Sequence, residues 1–228
     1  FMRRSITFIG LLLIASLVTA SDFVVNGIPY KIISPTEVQV TKREEPFSGV
    51  VQIPASVMHA SLSYTVSEIG EKAFFSSTGM TEVRLPHTLK KIGDNAFALC
   101  FSLRRITIPE SVEHIGTGAF QSCNGPDTLH IPATVTHIGQ NAFGAMKNLK
   151  WLEVAPANPN YTTVDGVLFN RSQTEIISFP AGREGHYNIP ATLTHIADDL
   201  FSKAKLTSVS IPYGVVSVET ERVRVFRS

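Results

Sequence analysis

The hexapeptide Ile-Gly-x-x-Ala-Phe occurs four times in strict register, beginning at Ile69, Ile92, Ile115 and Ile138, at a constant step of 23. Copies at one fixed spacing mean that a single structural unit is laid down repeatedly, so each copy must meet the same surroundings. A fifth, degraded copy, Ile-Ala-Asp-Asp-Leu-Phe, begins at Ile196. A second series runs in phase with the first. Short segments of alternating apolar residues close on Pro54, Pro86, Pro109, Pro132, Pro156, Pro180, Pro190 and Pro212, at steps of 32, 23, 23, 24, 24, 10 and 22 along the chain. A regular middle is flanked by one long step and one short one.

The stretch Leu103–Phe120 shows what one unit requires. In Leu103-x-x-Ile106-x-Ile108 the alternation sets the apolar side chains on one face of an extended segment. Pro109 has no N–H and ends the ladder there. Val112 and Ile115 return a second apolar edge to the same interior. Gly116 turns the chain where a Cβ would collide. Ala119 is small enough for Phe120 to lie between neighbouring units. One unit cannot hide its own apolar side, but stacked units can, with parallel strands about 4.8 Å apart. Each buried Phe then stabilises by roughly 1.5–3 kcal/mol relative to exposure. The expected spine is Phe74, Phe97, Phe120 and Phe143, continued by Phe201 from the degraded copy. That period, with an L-x-x-I-x-I core, lies in the leucine-rich-repeat range.

The fuller pattern, LxxIxIPxxVxxIGxxAFxxC, resembles the treponemal-class, BspA-like subfamily of leucine-rich repeats, where the proline after the strand and the Ile-Gly-x-x-Ala-Phe block are diagnostic. The resemblance runs from Val50 to Val218. It implies a β-rich repeat solenoid, a right-handed superhelix of about 22–24-residue repeats. Residues 21–49 resemble that family's β-rich N-terminal lead-in, and the nine extra residues between Pro54 and Ile69 fit it. The segment Asn158–Gly182 resembles an element common in the family. There a hairpin of Val167–Asn170 and Glu175–Phe179, turning at Arg171–Thr174, replaces the repeated block within an irregular repeat, 155–190. The sequence also departs from the pattern: Ala197 stands where the glycine should, and Leu200 replaces the alanine beside Phe201. After Pro212 the pattern fades, and residues 219–228 read either as a polar cap or as a repeat cut short.

Residues 1–20 stand apart. Arg3 and Arg4 precede an uncharged run from Ile6 to Val18, and Val18 and Ala20 occupy the small-residue positions of a cleavage site, giving a cut before Ser21. The run is short for a bilayer span, and no second apolar stretch approaches that length. The expected mature chain is exported, secreted or held at the cell surface, with no membrane span. Removing Arg3 and Arg4 takes the formal charge from +1 to −1. That leaves no basic excess for phosphates, and nucleic acid is not expected as a partner. Two cysteines in an exported chain do not make a disulfide scaffold.

Several residues suggest chemistry. Cys100 and Cys123 are one step apart, at equivalent places on adjacent units. Either they are bonded or they are buried thiols. Met146 and Ala204 take the same place elsewhere, and in-register parallel side chains seldom have disulfide geometry, which favours thiols. His114 and His137 share a column with Lys91 and His195; a lysine in the row and the lack of a third ligand favour a solvated row over a metal site. Asn160-Tyr161-Thr162 and Asn170-Arg171-Ser172 match glycosylation sequons. No nucleophile elbow, Walker loop, dinucleotide fingerprint or H-E-x-x-H motif occurs, and Asp198-Asp199 reads as a solvated loop. Neither an enzyme nor a cofactor is expected; an enzyme would have to use the Asn158–Gly182 segment, with Asp165 as the residue to test.

The outward strand positions remain. The residues two before each proline are Arg84, Thr107, His130 and Ser210; Glu153 lies three before its own, because that repeat carries one extra residue. The neighbouring column holds Glu82, Arg105, Thr128, Trp151 and Ser208. These rows are expected to line a concave face. Trp151, the single tryptophan, either packs under the adjacent hairpin or lies exposed beside arginine and histidine, the residue types that dominate protein recognition. The expected binding residues are Arg84, Arg105, Thr107, His130, Trp151 and Glu153. The expected function is an exported protein-binding module. The family resemblance implies adhesion to host or extracellular-matrix proteins or to other cells. The alternative is a structural, scaffolding segment of a larger cell-envelope assembly.

Overall fold

A computed structural model describes residues 22–193, 196, 200–201, 203–213 and the backbone of 224–227. The expected leader at 1–20, His195, Asp198-Asp199 and most of the tail lie outside the described residues. The alternating segments form strands, and among the described residues there is no helix. The chain enters through an antiparallel meander of β1 (Phe23–Val25), β2 (Ile28–Ile32) and β3 (Glu37–Val40). β4 (Ser48–Gln52) follows, then a hairpin of β5 (Ser56–His59) and β6 (Leu62–Ile69), which takes up the long first step. The regular units supply β7 (Gly79–Arg84), β8 (Lys91–Ile92), β9 (His114–Ile115), β10 (Thr128–Ile131), β11 (His137–Ile138) and β12 (Trp151–Val154).

The units touch along three lines. The first is a continuous parallel ladder, β3-β6-β8-β9-β11, in which Val40, Ile69, Ile92, Ile115 and Ile138 are successive partners. Gly93, Gly116 and Gly139 each donate their N–H to the isoleucine carbonyl one unit back, at 2.8 Å. A Cβ on Gly116 would stand 2.6 Å from the Asp94 nitrogen and 2.7 Å from the Gly93 carbonyl carbon. Gly116 does not have a positive φ. The glycine is therefore required by the neighbouring backbone's approach rather than by a turn, which corrects the reading of the sequence.

The second line is the Ala-Phe block, and here the chain does turn left-handed. Lys72, Asn95, Gly118 and Asn141 form one column at φ of 54°, 52°, 61° and 54°, and Ser76, Leu99, Ser122 and Ala145 a second at 59°, 63°, 59° and 54°. Asn and Gly bear this conformation at least cost, so one variable position of the hexapeptide, and the position two after its phenylalanine, carry information. The turn aims the N–H groups of Phe74, Phe97 and Phe120 at the carbonyls of Ala96, Ala119 and Ala142, at 2.8, 2.7 and 2.8 Å. The rings follow the backbone. Phe74, Phe97, Phe120 and Phe143 are buried and stacked, with centroids 5.0, 5.3 and 5.9 Å apart and planes within 6°.

The third line is the outer sheet, and it is interrupted. β4 pairs with β7, a single bridge joins Glu82 to Arg105, and β10 pairs with β12, all parallel. Among the described residues no backbone hydrogen bond links Arg105–Ile108 to Thr128–Ile131. Pro126 stands at this interruption. It takes the place of Met80, Leu103 and Leu149, whose N–H groups close the preceding turn at 3.1, 3.1 and 3.0 Å. Proline has no N–H for that bond.

After β12 the chain forms a three-stranded antiparallel sheet, β13 (Tyr161–Val164), β14 (Val167–Asn170) and β15 (Ile176–Ser178). The expected hairpin is β14 with β15; the preceding strand β13 was not expected. Asp165 and Gly166 have φ of 49° and 75°, the two positive values of a tight hairpin turn, and Asp-Gly is the dipeptide that favours it. β14 is buried on both faces: Leu168 packs in the first core, while Val167 and Phe169 pack in a second. The second core lies under the parallel sheet of β16 (Glu184–Asn188), β17 (Lys205–Ile211) and β18 (Arg224–Arg227). Phe201 belongs there, edge-on to Phe179 at 5.0 Å and 6.4 Å from Tyr187. It does not extend the phenylalanine stack, because β14 stands between the two interiors.

Phe97 has a ring on each side. Phe97→Ala should lower unfolding stability by about 3–5 kcal/mol, read as a reduced urea midpoint with unchanged slope. A loss below about 1 kcal/mol would show that the stack does not support the fold.

Candidate protein-binding face

The outer strands bury alternate residues and point the others away from the core. Leu129 and Ile131 on β10, and Leu152 and Val154 on β12, face the interior. The outward residues fall into two rows. Val50 opposes Glu82, which opposes Arg105, and Thr128 opposes Trp151; Gln52 opposes Arg84, and His130 opposes Glu153. The extra residue before Pro156 therefore leaves Glu153 in the column assigned to it. Thr107 is exposed but sits at the interruption, paired to neither side.

The structure brings some of these side chains together. Glu82 receives Arg84 Nε on one carboxylate oxygen at 2.6 Å and Arg105 Nε on the other at 3.1 Å. His130 lies between Glu110, at 3.7 Å, and Glu153, at 4.0 Å. Trp151 does both things considered for it. One side rests on the hairpin turn, where a Cβ on Gly166 would stand 2.5 Å from the ring, yet 42% of the residue is exposed. Beside it Arg183 reaches toward Trp151 and Tyr187, 6.0 and 5.0 Å from the ring centroids, and binds both the carbonyl and the carboxylate of Asp165. Asp165 thus anchors an arginine at a turn.

Residues not singled out in the sequence complete the face. His186 Nδ1 meets Ser208 Oγ at 2.7 Å, while Nε2 meets Asn188 Oδ1 at 3.0 Å and Ser210 Oγ at 3.1 Å. Counting back four and two from Pro190 would have found His186 and Asn188. A serine beside a histidine invites a nucleophilic reading, but the other ring nitrogen faces an amide and a hydroxyl. Neither stabilises an imidazolium as a carboxylate does. Asn158 and Tyr161 were seen only as parts of a sequon or an insertion. The buried Asn158 amide donates to the carbonyls of Pro132 and Val135, and its oxygen accepts the N–H groups of Asn160 and Tyr161, all at 2.9 Å. Tyr161 Oη accepts the N–H of Ile138 at 2.9 Å, where the ladder of short strands ends. On the outer side Leu152 N–H donates to the Gly166 carbonyl at 2.8 Å and Val154 N–H to Thr163 Oγ1 at 2.9 Å. The irregular segment receives the open ends of both sheets. Burial raises the Tyr161 hydroxyl pKa, partly offset by the Ile138 N–H it accepts. Tyr161→Phe would leave that buried N–H unpaired and should cost about 1–3 kcal/mol in chemical denaturation; no loss would mean that water replaces the phenol.

Two further columns are structural. Cys100 and Cys123 are buried free thiols that donate to the carbonyls of Phe74 and Phe97 at 3.1 and 2.9 Å. The contact with Cys100, and then burial, pushes the Cys123 thiol well above its usual range, which keeps it protonated and unreactive. His114 and His137 stack at 4.4 Å in register with Lys91. Among the described residues no group of three or more His, Cys, Asp or Glu is placed to hold a metal ion. Burial first, then His137 and Lys91, lower the His114 pKa below its ordinary 6.5, while Asp94 and Glu68 oppose the shift. The unfolded chain therefore binds this proton more readily. Stability should be full above about pH 6.5 and fall on acidification below it. His114→Gln should flatten that fall, read as denaturation midpoints at about pH 7.5 and about pH 5.5; an unchanged slope would assign it to other groups.

Parallel units stacked along repeated isoleucine, glycine and phenylalanine columns, with one row of outward strand residues, define a leucine-rich-repeat protein-interaction module. The chain matches the BspA type Leucine rich repeat region in six copies over residues 54–176 and 185–223, and it belongs to that family. Comparison with curated proteins gives no match. Among solved structures it is similar to the pneumococcal vaccine antigen PcpA (20% identity, TM-score 0.57, covering 82% of this chain and 64% of that one). It is also similar to a leucine-rich repeat protein of Eubacterium ventriosum (22%, 0.58, 84% and 59%) and to one of Bacteroides capillosus (29%, 0.51, 58% and 97%). The chain thus spans less than two thirds of the first two. Among the described residues no helix is long and apolar enough to cross a membrane.

Proposed function

We propose that this chain is an exported protein-binding module, secreted or displayed at the cell surface, that adheres through its outer strand face to host, matrix or other cell-surface proteins. Its repeats are read as a right-handed superhelix of about 22–24-residue turns over 50–218, behind a β lead-in at 21–49. The leader-like stretch at 1–20 and the membership in the BspA-type family support export. The observation that carries the binding reading is the outer face itself. Arg84, Arg105, Thr107, Trp151 and Glu153 are exposed on strands whose alternate residues are buried. A rigid backbone presenting arginine and tryptophan loses little entropy on association. Trp151 is the anchor and Arg84, Arg105, Thr107, His130 and Glu153 its surroundings. The test is capture of immobilised extracellular-matrix proteins by the purified chain. Trp151→Ala should weaken capture by about tenfold or more with an unchanged unfolding midpoint; equal affinity overturns the reading.

A further inference from the structure

The two arginines on Glu82 are arranged as one device. The Glu82 side chain is 13% exposed, whereas those of Arg84 and Arg105 are 60% and 76% exposed. Both reach the carboxylate through Nε. Among the described residues their terminal nitrogens make no hydrogen bond, so each guanidinium keeps its outer edge, the planar pair of N–H donors that matches a carboxylate. One carboxylate between two cations leaves the cluster positively charged. Arg104 adds to it, lining a depression with Thr81, Ser102 and Arg105. Glu82 fixes both arginines before any ligand arrives, which lowers the entropy lost on binding.

The charge then reverses along the stack. Glu110, in the same repeat as Arg105, and Glu153, two repeats beyond it, stand on either side of His130, and Asp127 lies beside Lys150 at 3.4 Å. A uniformly charged polymer laid along the face would be attracted at Arg84 and Arg105 and repelled at Glu110 and Glu153. A protein segment can reverse sign within a few residues. We infer that Arg84 and Arg105, splayed from Glu82, seat the carboxylate of an acidic residue of a protein partner, with basic or aromatic residues of that segment lying toward Glu153 and Trp151. Glu82 is a positioning residue in this seat. The inference rests on the outer face being a binding face and specifies what it receives there.

The test uses the whole chain and a ten-residue peptide carrying two adjacent glutamates, a phenylalanine and a C-terminal lysine, with the glutamine version as control. The side-chain Nε–H signals of Arg84 and Arg105 are followed by NMR. They should shift with the glutamate peptide and stay in place with the glutamine peptide, and salt should weaken the effect. R84Q/R105Q should reduce affinity for the glutamate peptide by about tenfold or more, with its urea midpoint as the check on folding. R84K/R105K keeps the charge but not the fork, and should recover only part of the binding. Equal binding by R84Q/R105Q overturns the seat. So does a heparin oligosaccharide that moves the arginine signals at lower concentration than the peptide, since the ligand would then be a sulfated polysaccharide. Trp151→Ala is run in parallel. If it loses matrix-protein capture while the glutamate peptide leaves the arginine signals unmoved, the seat alone is refuted. If it captures normally while the peptide still moves them, the seat stands and the tryptophan-centred reading falls.

Discussion

The distance between neighbouring backbones at the glycine column sets everything else. Gly93, Gly116 and Gly139 let each unit lie against the one before it with no side chain between, at hydrogen-bonding distance from the preceding isoleucine carbonyl. That approach brings the Phe N–H groups onto the next alanine carbonyls, and the rings into near-parallel contact. Cys100 and Cys123 are buried beside the rings and give the Phe74 and Phe97 carbonyls a second donor, beyond the N–H groups of Ser77 and Cys100 that they already accept. Spacing, hydrogen bonding and ring packing are one constraint seen three times. Across the four regular copies the glycine is therefore as constant as the phenylalanine.

Much of this could be read from the sequence because it repeats. The hexapeptide located the phenylalanine stack, and counting back from each proline placed Arg84, His130 and Glu153 in one row. What escaped was what occurs once. Pro126 takes the place of Met80, Leu103 and Leu149 without the N–H that closes their turn, which periodicity does not register. Tyr161 and Asn158 act through hydrogen bonds to Ile138, Pro132 and Val135, residues distant in sequence and invisible to a local pattern. β14 has Val, Leu and Phe in succession, so alternation gave no clue that its two faces serve different interiors. Phe201 was assigned by analogy with the regular copies, although the copy around it had already lost its glycine and its alanine.

The face is a product of the same rules. Residues alternate in and out along a strand, and parallel pairing in register turns each outward position into a row running along the stack. Chemistry is therefore written across units, not along the chain. Glu82 works with Arg105, one repeat on, and His130 works with Glu153, again one repeat on. The alternate strand positions are buried in the core, which leaves these rows facing outward.

The strand buried on both sides has a mechanical meaning. Leu168 leans into one interior while Val167 and Phe169 lean into the other, so β14 is a bulkhead shared by two chambers. A shared wall couples its neighbours without merging them. The flanking strands share the wall: Tyr161 and Ile177 pack with the first interior, Val164 and Ile176 with the second. The two interiors meet at this antiparallel sheet rather than running on as one.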